Sequence, residues 1–376
     1  MLRYSTSGES HGICLIAVLE GMVAGLKLDP AAIDHDLWRR QQGYGRGGRM
    51  LIETDRAELL TGIRQNETIG GPLAMRIENK DFKINQLPVV HRPRPGHADL
   101  VGAVKFNRRD VRDILERASA RETTARVAVG AVCRQFLAQF GVRVTSHVTD
   151  IGGVKVEDPS VFTYDQVAEH AEKSQVRCVD PAVGERMMRR IDEIKAAKDT
   201  VGGVFEVRVK GLPPGLGSFT TSDARLDARL AFALMSIQAV KGVEFGLGFA
   251  VAHTPGSRAH DEIFYNEKTK KFFRKTNRAG GLEGSMTTGE ELVIRAAAKP
   301  YATLMKPLAS TNIQTKAAEV GTIERSDVTA VPACGVVGES MAMFELAKVF
   351  LEKFGGDSLS ETRRNFDGYL KQVEEF

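Results

Sequence analysis

Two histidines stand in loops that could present an imidazole to a ligand. His11 lies in the segment GESHG at residues 8–12, and His97 lies in RPRPGHAD at residues 92–99. Glycine allows a tight backbone turn around the first, while alternating prolines stiffen the second, where Asp99 could orient the imidazole. Because histidine binds and releases a proton near neutral pH, both loops predict acid–base chemistry, with an ordinary surface histidine as the alternative.

The segment GESHG also matches the G-x-S-x-G pattern of a serine nucleophile, with Ser10 at its centre. That pattern requires a buried strand before the serine and a helix after it. Here only seven residues precede Gly8, and a strand-like apolar run follows at 13–19. The sequence therefore argues against a serine hydrolase.

Arginines cluster in two further segments, RRQQGYGRGGRM at 39–50 and ERASARET at 116–123. A guanidinium group binds carboxylates and phosphates through two parallel hydrogen bonds, and glycines let the backbone approach an anion closely. Four arginines of the first segment are expected on one glycine-rich loop. For the second segment a helix face with i,i+4 ion pairs is the alternative.

The positive charge of the chain is concentrated in one region. Residues 39–143 hold 20 Lys+Arg, 17 of them Arg, against 11 Asp+Glu, although the whole chain carries a net charge of only +4. A small anionic ligand explains this excess, and a basic RNA-binding protein using residues 39–143 is the rival. The region has few aromatic residues for base stacking and is not of low complexity, which favours the small ligand.

Helices and strands alternate along the chain and must position these loops. Asp29-Pro30 and Asp180-Pro181 predict two helix starts, and a long apolar stripe predicts a helix over about 110–140 that ends at Gly141. Further helices are expected at about 223–240, 339–354 and 361–376, and strands at 13–19, 58–63, 73–77, 142–148, 204–209 and 292–297. The short turns between strands predict an α+β fold with antiparallel sheets. No linker divides the sequence, so we expect a single domain spanning 1–376. No G-x-G-x-x-G loop follows a predicted strand, so a Rossmann unit is not expected.

Five segments together resemble the chorismate synthase family in their order and spacing: GESHG, RRQQGYGRGGRM, RPGHAD, LERASARET and RSDVTAVP. The resemblance runs essentially from end to end. It implies a β-α-β sandwich of the family's own type, usually a homotetramer, and a carbon–oxygen lyase of the shikimate pathway of aromatic amino acid biosynthesis. The implied reaction is the 1,4-anti elimination of phosphate from 5-enolpyruvylshikimate 3-phosphate to give chorismate, with reduced FMN and no net redox change.

The resemblance also implies roles for individual residues. His11 would act on the departing phosphate, His97 on the reduced flavin, and Asp327 near the flavin N5. FMN contacts would fall on Arg117, Ala118, Ser119, Gln238, Ala239, Gly284, Lys299, Pro300, Tyr301, Ala302, Thr303 and Arg325. Substrate or NADP contacts would fall on Ser10, Arg40, Arg46, Arg49 and Arg121.

Two positions depart from the family pattern: Asn107-Arg108 replaces a common Gly-His pair, and Tyr301-Ala302 replaces small hydroxyl residues. The sequence leaves open whether FMN is reduced by an intrinsic NADPH-dependent activity or supplied already reduced. We expect a cytoplasmic protein without a membrane or nucleic-acid partner. Four dispersed cysteines without a CxxC pair predict no metal site.

Overall fold

Two antiparallel sheets frame the structure, a computed structural model that describes residues 1–47, 52–324 and 326–376. The strands in chain order are β1 (Arg3–Ser7), β2 (Cys14–Glu20), β3 (Ala57–Leu59), β4 (Ile63–Arg64), β5 (Glu67–Thr68), β6 (Leu73–Glu78), β7 (Arg143–Ile151), β8 (Val154–Lys155), β9 (Gly203–Lys210), β10 (Val240–Phe245), β11 (Ile263–Asn266), β12 (Lys271–Arg274), β13 (Leu282–Glu283), β14 (Met286–Thr287), β15 (Leu292–Ala298), β16 (Ala309–Thr311) and β17 (Ala318–Val320). One sheet has the order β1-β2-β6-β3 and the other the order β10-β15-β9-β7-β8.

The helices in chain order are α1 (Pro30–Gln41), α2 (Asp99–Lys105), α3 (Arg112–Ala118), α4 (Thr123–Ala138), α5 (Tyr164–Lys173), α6 (Pro181–Ala196), α7 (Leu226–Met235), α8 (Gly256–Ala259), α9 (Val331–Phe354) and α10 (Leu359–Glu375). Two long helices, α4 and α9, lie between these sheets. Helix α4 packs on β2 and β6, α9 packs on β7 and β9, and the two helices pack on each other. This arrangement confirms the predicted β-α-β sandwich.

The burial pattern of the strands explains why the sheets enclose helices. In β2, Leu15, Ala17 and Leu19 are buried while the residues between them are partly exposed, so one face of the strand meets the helices. Strand β15 alternates in the same way. Helix α9 is buried on nearly all sides because it lies between a sheet and another helix.

The single long helix expected over 110–140 is wrong. The chain forms α3, then a short 3-10 turn (Ala120–Glu122), and then α4. The break falls at Ser119, whose backbone is extended at φ −64° and ψ 142° and whose side chain accepts a hydrogen bond from the backbone N–H of Arg121. A serine side chain can bond to nearby backbone N–H groups in place of the helical hydrogen bonds, which interrupts the helix. The apolar stripe continues through the break, so the hydrophobic pattern does not reveal it.

Several element boundaries also differ from those expected. Helix α9 begins at Val331 with Pro332 in its first turn, well before residue 339, because a helix buried all round has no amphipathic pattern to mark its start. Helix α7 ends at Met235, before β10 begins. The starts of α1 and α6 at Asp29 and Asp180 are confirmed, since both aspartates accept hydrogen bonds from the first turn.

Within the described ranges, no helix is both long and apolar enough to cross a membrane. One large cluster of buried apolar side chains draws on both sheets and extends from Leu2 to Phe366. A smaller apolar cluster lies under α2 and α3 and includes Val111 and Ile114.

Candidate active site

One cavity brings together most of the residues that the sequence singled out. Its volume is about 420 Å³, and its wall combines the loop after β1, the end of α1, the break between α3 and α4, the loop after β15 and the start of α9. The predicted residues that line it are Ser10, His11, Arg40, Arg46, His97, Ala118, Ser119, Arg121, Gln238, Ala239, Lys299, Tyr301, Ala302, Thr303 and Asp327.

Among the predicted site residues that the structure describes, three do not line this cavity: Arg117, Gly284 and Pro300. The guanidinium of Arg117 instead donates to the backbone oxygens of Gly8 and Thr6, at 3.1 and 2.9 Å, and so braces the loop that carries a catalytic candidate. Gly284 occupies the tight turn between β13 and β14 at φ +53°. The predictions for Arg49 and Arg325 fall outside the described residues.

The guanidinium groups of Arg40, Arg46 and Arg121 reach the cavity, and two of them lie around one carboxylate, that of Asp55. Arg121 donates to Asp55 at 2.7 Å, and Arg40 Nη1 lies 3.9 Å from the same carboxylate. Arg40 Nη1 is buried and has no hydrogen-bond partner among the described residues. Burial lowers the pKa of Arg40 to about 10; Asp55 opposes this effect, and the positive charges of Arg121 and Arg46 add to it. A buried guanidinium nitrogen that still has hydrogens to donate is suited to a bound anion.

Arg46 joins this cluster to Asp327. Its Nη1 lies 3.2 Å from Asp327 Oδ2, and the backbone N–H of Gly47 donates to Asp327 Oδ1 at 2.6 Å. The carboxylate of Asp327 therefore lies at the edge of the arginine cluster, and two residues of the loop after α1 contact its two oxygens.

The expectation that four arginines share one loop is wrong for Arg39 and Arg40, which both lie in the last turn of α1. Arg39 points away from the cavity and donates to Glu339 of α9 at 2.8 and 2.9 Å. Successive helical residues are rotated by roughly 100°, so neighbouring arginines face different surroundings. Arg39 anchors the helix, and Arg40 reaches the cavity.

His11 is held by a buried carboxylate. Its Nδ1 lies 3.0 Å from each carboxylate oxygen of Glu116, and its backbone N–H donates to Glu116 Oε2 at 2.9 Å. On the other side of the ring, Nε2 lies 3.8 Å from Asp81 Oδ2. Burial acts to raise the pKa of Glu116, but the hydrogen bonds and charge of His11, with a hydrogen bond from Arg112, more than offset it, so that pKa lies below its ordinary value.

His97 is held in a similar way. Its Nδ1 makes a short contact with Asp99 Oδ1, and Asp99 is fully buried. Arg94 donates to Asp99 through its backbone N–H at 3.0 Å and through Nε at 2.8 Å. Burial acts to raise the pKa of Asp99, but the hydrogen bonds from His97 and Arg94 prevail and hold that pKa well below its ordinary value.

The cavity also offers polar atoms that a ligand could use. Gln238 donates to Glu122 at 2.9 Å, whereas its Oε1 is buried without a hydrogen-bond partner among the described residues. Ala239 follows with φ +74°, an uncommon conformation for a residue with a Cβ. Lys299 is partly exposed and donates to two backbone oxygens, that of Gly96 at 3.1 Å and that of Pro300 at 3.4 Å.

Sequence reasoning missed Glu116, Asp55 and Cys334. Glu116 belongs to one of the motifs, but the sequence does not reveal its partner, because His11 is 105 residues away in the chain. Asp55 has no pattern around it that indicates a role. Cys334 lies in an apolar stretch that reads as core, yet it lines the cavity, where burial raises its pKa to about 11.

The two departures from the family pattern have local structural consequences. Asn107 adopts φ +51°, which asparagine tolerates, and Arg108 donates to the surface carboxylate of Asp113 at 2.6 Å. Tyr301 lines the cavity in place of a small residue. Burial, and after it the charge of Asp327, raises the pKa of Tyr301 well above its ordinary value, so its hydroxyl is neutral and can donate.

The described part of the chain contains no group of three or more His, Cys, Asp or Glu placed to hold a metal ion.

Five arginines from the basic region are at most 9% exposed and are therefore withdrawn from the surface: Arg39, Arg40, Arg94, Arg112 and Arg121.

Comparison with known proteins agrees with the arrangement of these motifs. The sequence model of chorismate synthase matches residues 2–351. The chain is 54% identical to a chorismate synthase from Geobacter metallireducens and 52% identical to one from Solibacter usitatus, with all of both chains covered in each case. A crystal structure of chorismate synthase, 42% identical, superposes with a TM-score of 0.83 and covers 100% of this chain and 99% of its own. The chain therefore belongs to the chorismate synthase family of carbon–oxygen lyases.

Proposed function

We propose that this chain eliminates phosphate from 5-enolpyruvylshikimate 3-phosphate to give chorismate, in a reaction that requires reduced FMN. The observation that carries the proposal is the convergence of three guanidinium groups and two carboxylate-held imidazoles on a single cavity. The substrate carries one phosphate and two carboxylates, and Arg40, Arg46 and Arg121 supply matching positive charge. Ser10 at the same wall adds a hydroxyl group to this anion site.

The residues present fit a flavin. The buried Oε1 of Gln238, which has no partner within the part of the chain that the structure describes, is suited to accept from a ring N–H. Lys299 supplies a positive charge for a phosphate, and Thr303 and Tyr301 line the same wall. Ala118, Ser119, Ala239 and Ala302 are the small residues that leave room for it. Reduced FMN, when bound, supplies an electron transiently and recovers it, so that the reaction has no net redox change.

The two histidines have separate tasks in this proposal. When the C–O bond to phosphate breaks, the bond electrons leave with the phosphate, and a protonated His11 neutralises the charge that develops there. A protonated His97 stabilises the negative charge of the reduced cofactor. Buried carboxylates that accept from Nδ1 of each ring favour a protonated Nδ1 and keep Nε2 available.

Asp327 takes the proton that must leave a second carbon of the substrate. Its carboxylate lies 3.2 Å from Arg46 Nη1 at the cavity wall, and a carboxylate in such a position can accept or relay a proton. The hydrogen bond from the backbone of Gly47 fixes the direction in which the carboxylate faces. Loss of phosphate and loss of the proton thus use different groups of one cavity.

An RNA-binding function is the rival. The burial of five of the basic arginines supports the enzyme, because a nucleic-acid surface needs its cations exposed along the protein surface. The rival predicts tight, salt-sensitive RNA binding without any flavin response.

An anaerobic assay tests the proposal directly. Purified protein is mixed with 5-enolpyruvylshikimate 3-phosphate and either photoreduced or oxidised FMN, and chorismate and phosphate are both quantified. We expect equal amounts of the two products with reduced FMN and neither with oxidised FMN. Product formation that ignores the redox state of the flavin, or no product at all, would contradict the proposal.

The same assay identifies the source of reduced FMN. Turnover in air with oxidised FMN and NADPH alone would indicate an intrinsic reductase activity, with NADPH as a second ligand near Arg40 and Arg46. Turnover only with photoreduced FMN would indicate that another protein supplies it.

Three further properties belong to the proposal on the basis of the family: a homotetramer, a cytoplasmic location and a single domain spanning residues 1–376. The core cluster that extends from Leu2 to Phe366 supports the single domain. Light scattering tests the assembly, since a monomer that remains active at nanomolar concentration would remove the tetramer without affecting the chemistry.

A further inference from the structure

Glu116 is a buried carboxylate that touches the cavity only through another residue. It lies in α3, its side chain is 1% exposed, and it does not line the cavity. Its carboxylate receives the backbone N–H of His11 and lies 3.0 Å from the ring Nδ1 through both oxygens. Its backbone oxygen also accepts from the N–H of Ser10 at 2.9 Å. Glu116 therefore fixes both the loop and the ring of His11.

The hydrogen-bonding capacity of these groups determines where the hydrogen lies. An ionised carboxylate only accepts, so Nδ1 must carry a hydrogen for the 3.0 Å contact to be a hydrogen bond. Glu116 stays ionised at neutral pH because its pKa is lowered, and Arg112 donates to it at 3.2 Å. Nε2 is then the ring nitrogen that remains for a ligand, with Asp81 at 3.8 Å beside it.

We propose that Glu116 is a positioning residue for the phosphate elimination, which keeps a hydrogen on Nδ1 of His11 and holds the ring so that Nε2 serves the departing phosphate. The inference rests on the role proposed above for His11. The role of His11 alone does not say which ring nitrogen carries a fixed hydrogen, and the inference assigns that hydrogen to Nδ1.

Charged groups from two elements contact the pair among the described residues. Arg112 from α3 binds the carboxylate of Glu116, and Asp81, with its partner Lys83, approaches His11 from the loop after β6. Asp81 lies on the Nε2 side of the ring, so it cannot hold a hydrogen on Nδ1. Removing the carboxylate of Glu116 leaves Nδ1 without its acceptor.

The first test is a spectroscopic measurement on the wild-type protein. Nitrogen-15 NMR of histidine-labelled protein distinguishes ring nitrogens with and without a hydrogen, and loss of a signal in His11→Gln assigns the ring. At pH 7.5 we expect Nδ1 of His11 to carry a hydrogen. A ring protonated only at Nε2 would overturn the inference whether or not the protein is an active enzyme.

The second test is Glu116→Gln, which preserves size and removes the charge. We expect kcat to fall by about 10- to 100-fold, as for other residues that orient a functional imidazole, while KM for substrate and the affinity for FMN change by less than about threefold. The NMR signal of His11 should then show a mixture of hydrogen positions. Glu116→Asp should recover part of the loss, because the carboxylate is retained.

Glu206→Gln is the matched control, since Glu206 is another buried carboxylate that lies 3.0 Å from a histidine nitrogen, Nε2 of His147, outside the cavity. It should lower stability but leave kcat within about threefold of the wild type. If Glu116→Gln behaves like this control in a folded protein, the inference fails and the proposed function stands. If the wild type itself does not eliminate phosphate with reduced FMN, the proposed function fails, and the NMR result still decides the hydrogen position.

Discussion

Two histidine pairs of the same design reach the cavity by different routes. Each ring places Nδ1 against a buried carboxylate, and each carboxylate is held by an arginine. His97 and Asp99 are two residues apart, so a single stiffened loop builds that pair. His11 and Glu116 are 105 residues apart, so that pair forms only when α3 packs against the loop after β1. Local and tertiary contacts thus produce the same chemical arrangement.

The arginines extend the two pairs in different directions. Arg94, behind Asp99, also donates to Thr303 Oγ1 at 2.8 Å, in the wall proposed for the flavin. Arg112, behind Glu116, also donates to Glu324 at 3.0 Å, in another part of the cavity lining. The pairs share no residue, so a substitution in one should leave the other intact.

The largest effects are expected when an acid–base group is removed. His11→Ala, His97→Ala and Asp327→Ala should each lower kcat by at least about 100-fold, because a positioned acid or base contributes about 10²- to 10⁴-fold. Steady-state assays with reduced FMN measure this, with circular dichroism to establish folding. Near wild-type turnover in either folded histidine variant, with flavin saturating, would remove that histidine from the mechanism.

A smaller effect on a different parameter is expected for the arginine cluster, which belongs to neither pair. Arg46→Ala should raise KM for substrate by roughly 10- to 150-fold, since a charge-assisted hydrogen bond contributes about 1.5–3 kcal/mol. Arg76→Ala, which removes a partly exposed arginine paired with Glu58 outside the cavity, is the control. If both variants keep the wild-type KM, the loop after α1 is only a charged surface.

The two carboxylates provide a direct comparison of the pairs. Asp99→Asn should lower kcat by about 10- to 100-fold, as expected for Glu116→Gln, because both orient an imidazole. Asp113→Asn, in the surface pair with Arg108, should have no effect on kcat. A loss confined to one of the two buried carboxylates would show that the pairs differ in function despite their common geometry.

The smallest effect concerns stability in acid. The pKa of Asp99 in the folded protein lies below its ordinary value of 3.8, so its stabilising contribution is present above about pH 5 and is lost as the pH falls through the folded-state pKa. Urea unfolding at pH 7 and at about pH 3 should show a weaker pH dependence for Asp99→Asn than for the wild type. Glu116→Gln should also weaken it, since the pKa of Glu116 is lowered in the folded protein as well. An unchanged dependence in Asp99→Asn would mean that this carboxylate is not held in its ionised form by folding.

The same comparison explains how much the sequence could predict. Motif order identified the family, the layered fold and most of the cavity residues, and the pairing of His97 with Asp99 followed from their spacing. Glu116 stayed without a partner, because nothing local indicates which of the distant loops will pack on α3. The break at Ser119 was missed for the opposite reason: it depends on one side-chain hydrogen bond within a continuous apolar stripe.

Arg39 and Arg40 show a further limit. Their types and positions are equivalent in sequence, yet one pairs with Glu339 in the core and the other faces the cavity. Only the rotation of α1 about its axis separates them, and that rotation is fixed by packing against α4 and α9. Chemistry could be assigned to the segment but not to each arginine.

The separate tasks of the two histidines can be tested most directly through flavin binding. Anaerobic titrations would give the dissociation constants of oxidised and reduced FMN for the wild type, His97→Ala and His11→Ala, each with substrate analogue present. We expect His97→Ala to weaken binding of reduced FMN at least about tenfold more than that of oxidised FMN, because the proposed function places a protonated His97 beside the reduced flavin. His11→Ala should leave both dissociation constants within about threefold of the wild type. Equal weakening of both redox forms in His97→Ala, or the same selective loss in His11→Ala, would contradict this division of roles.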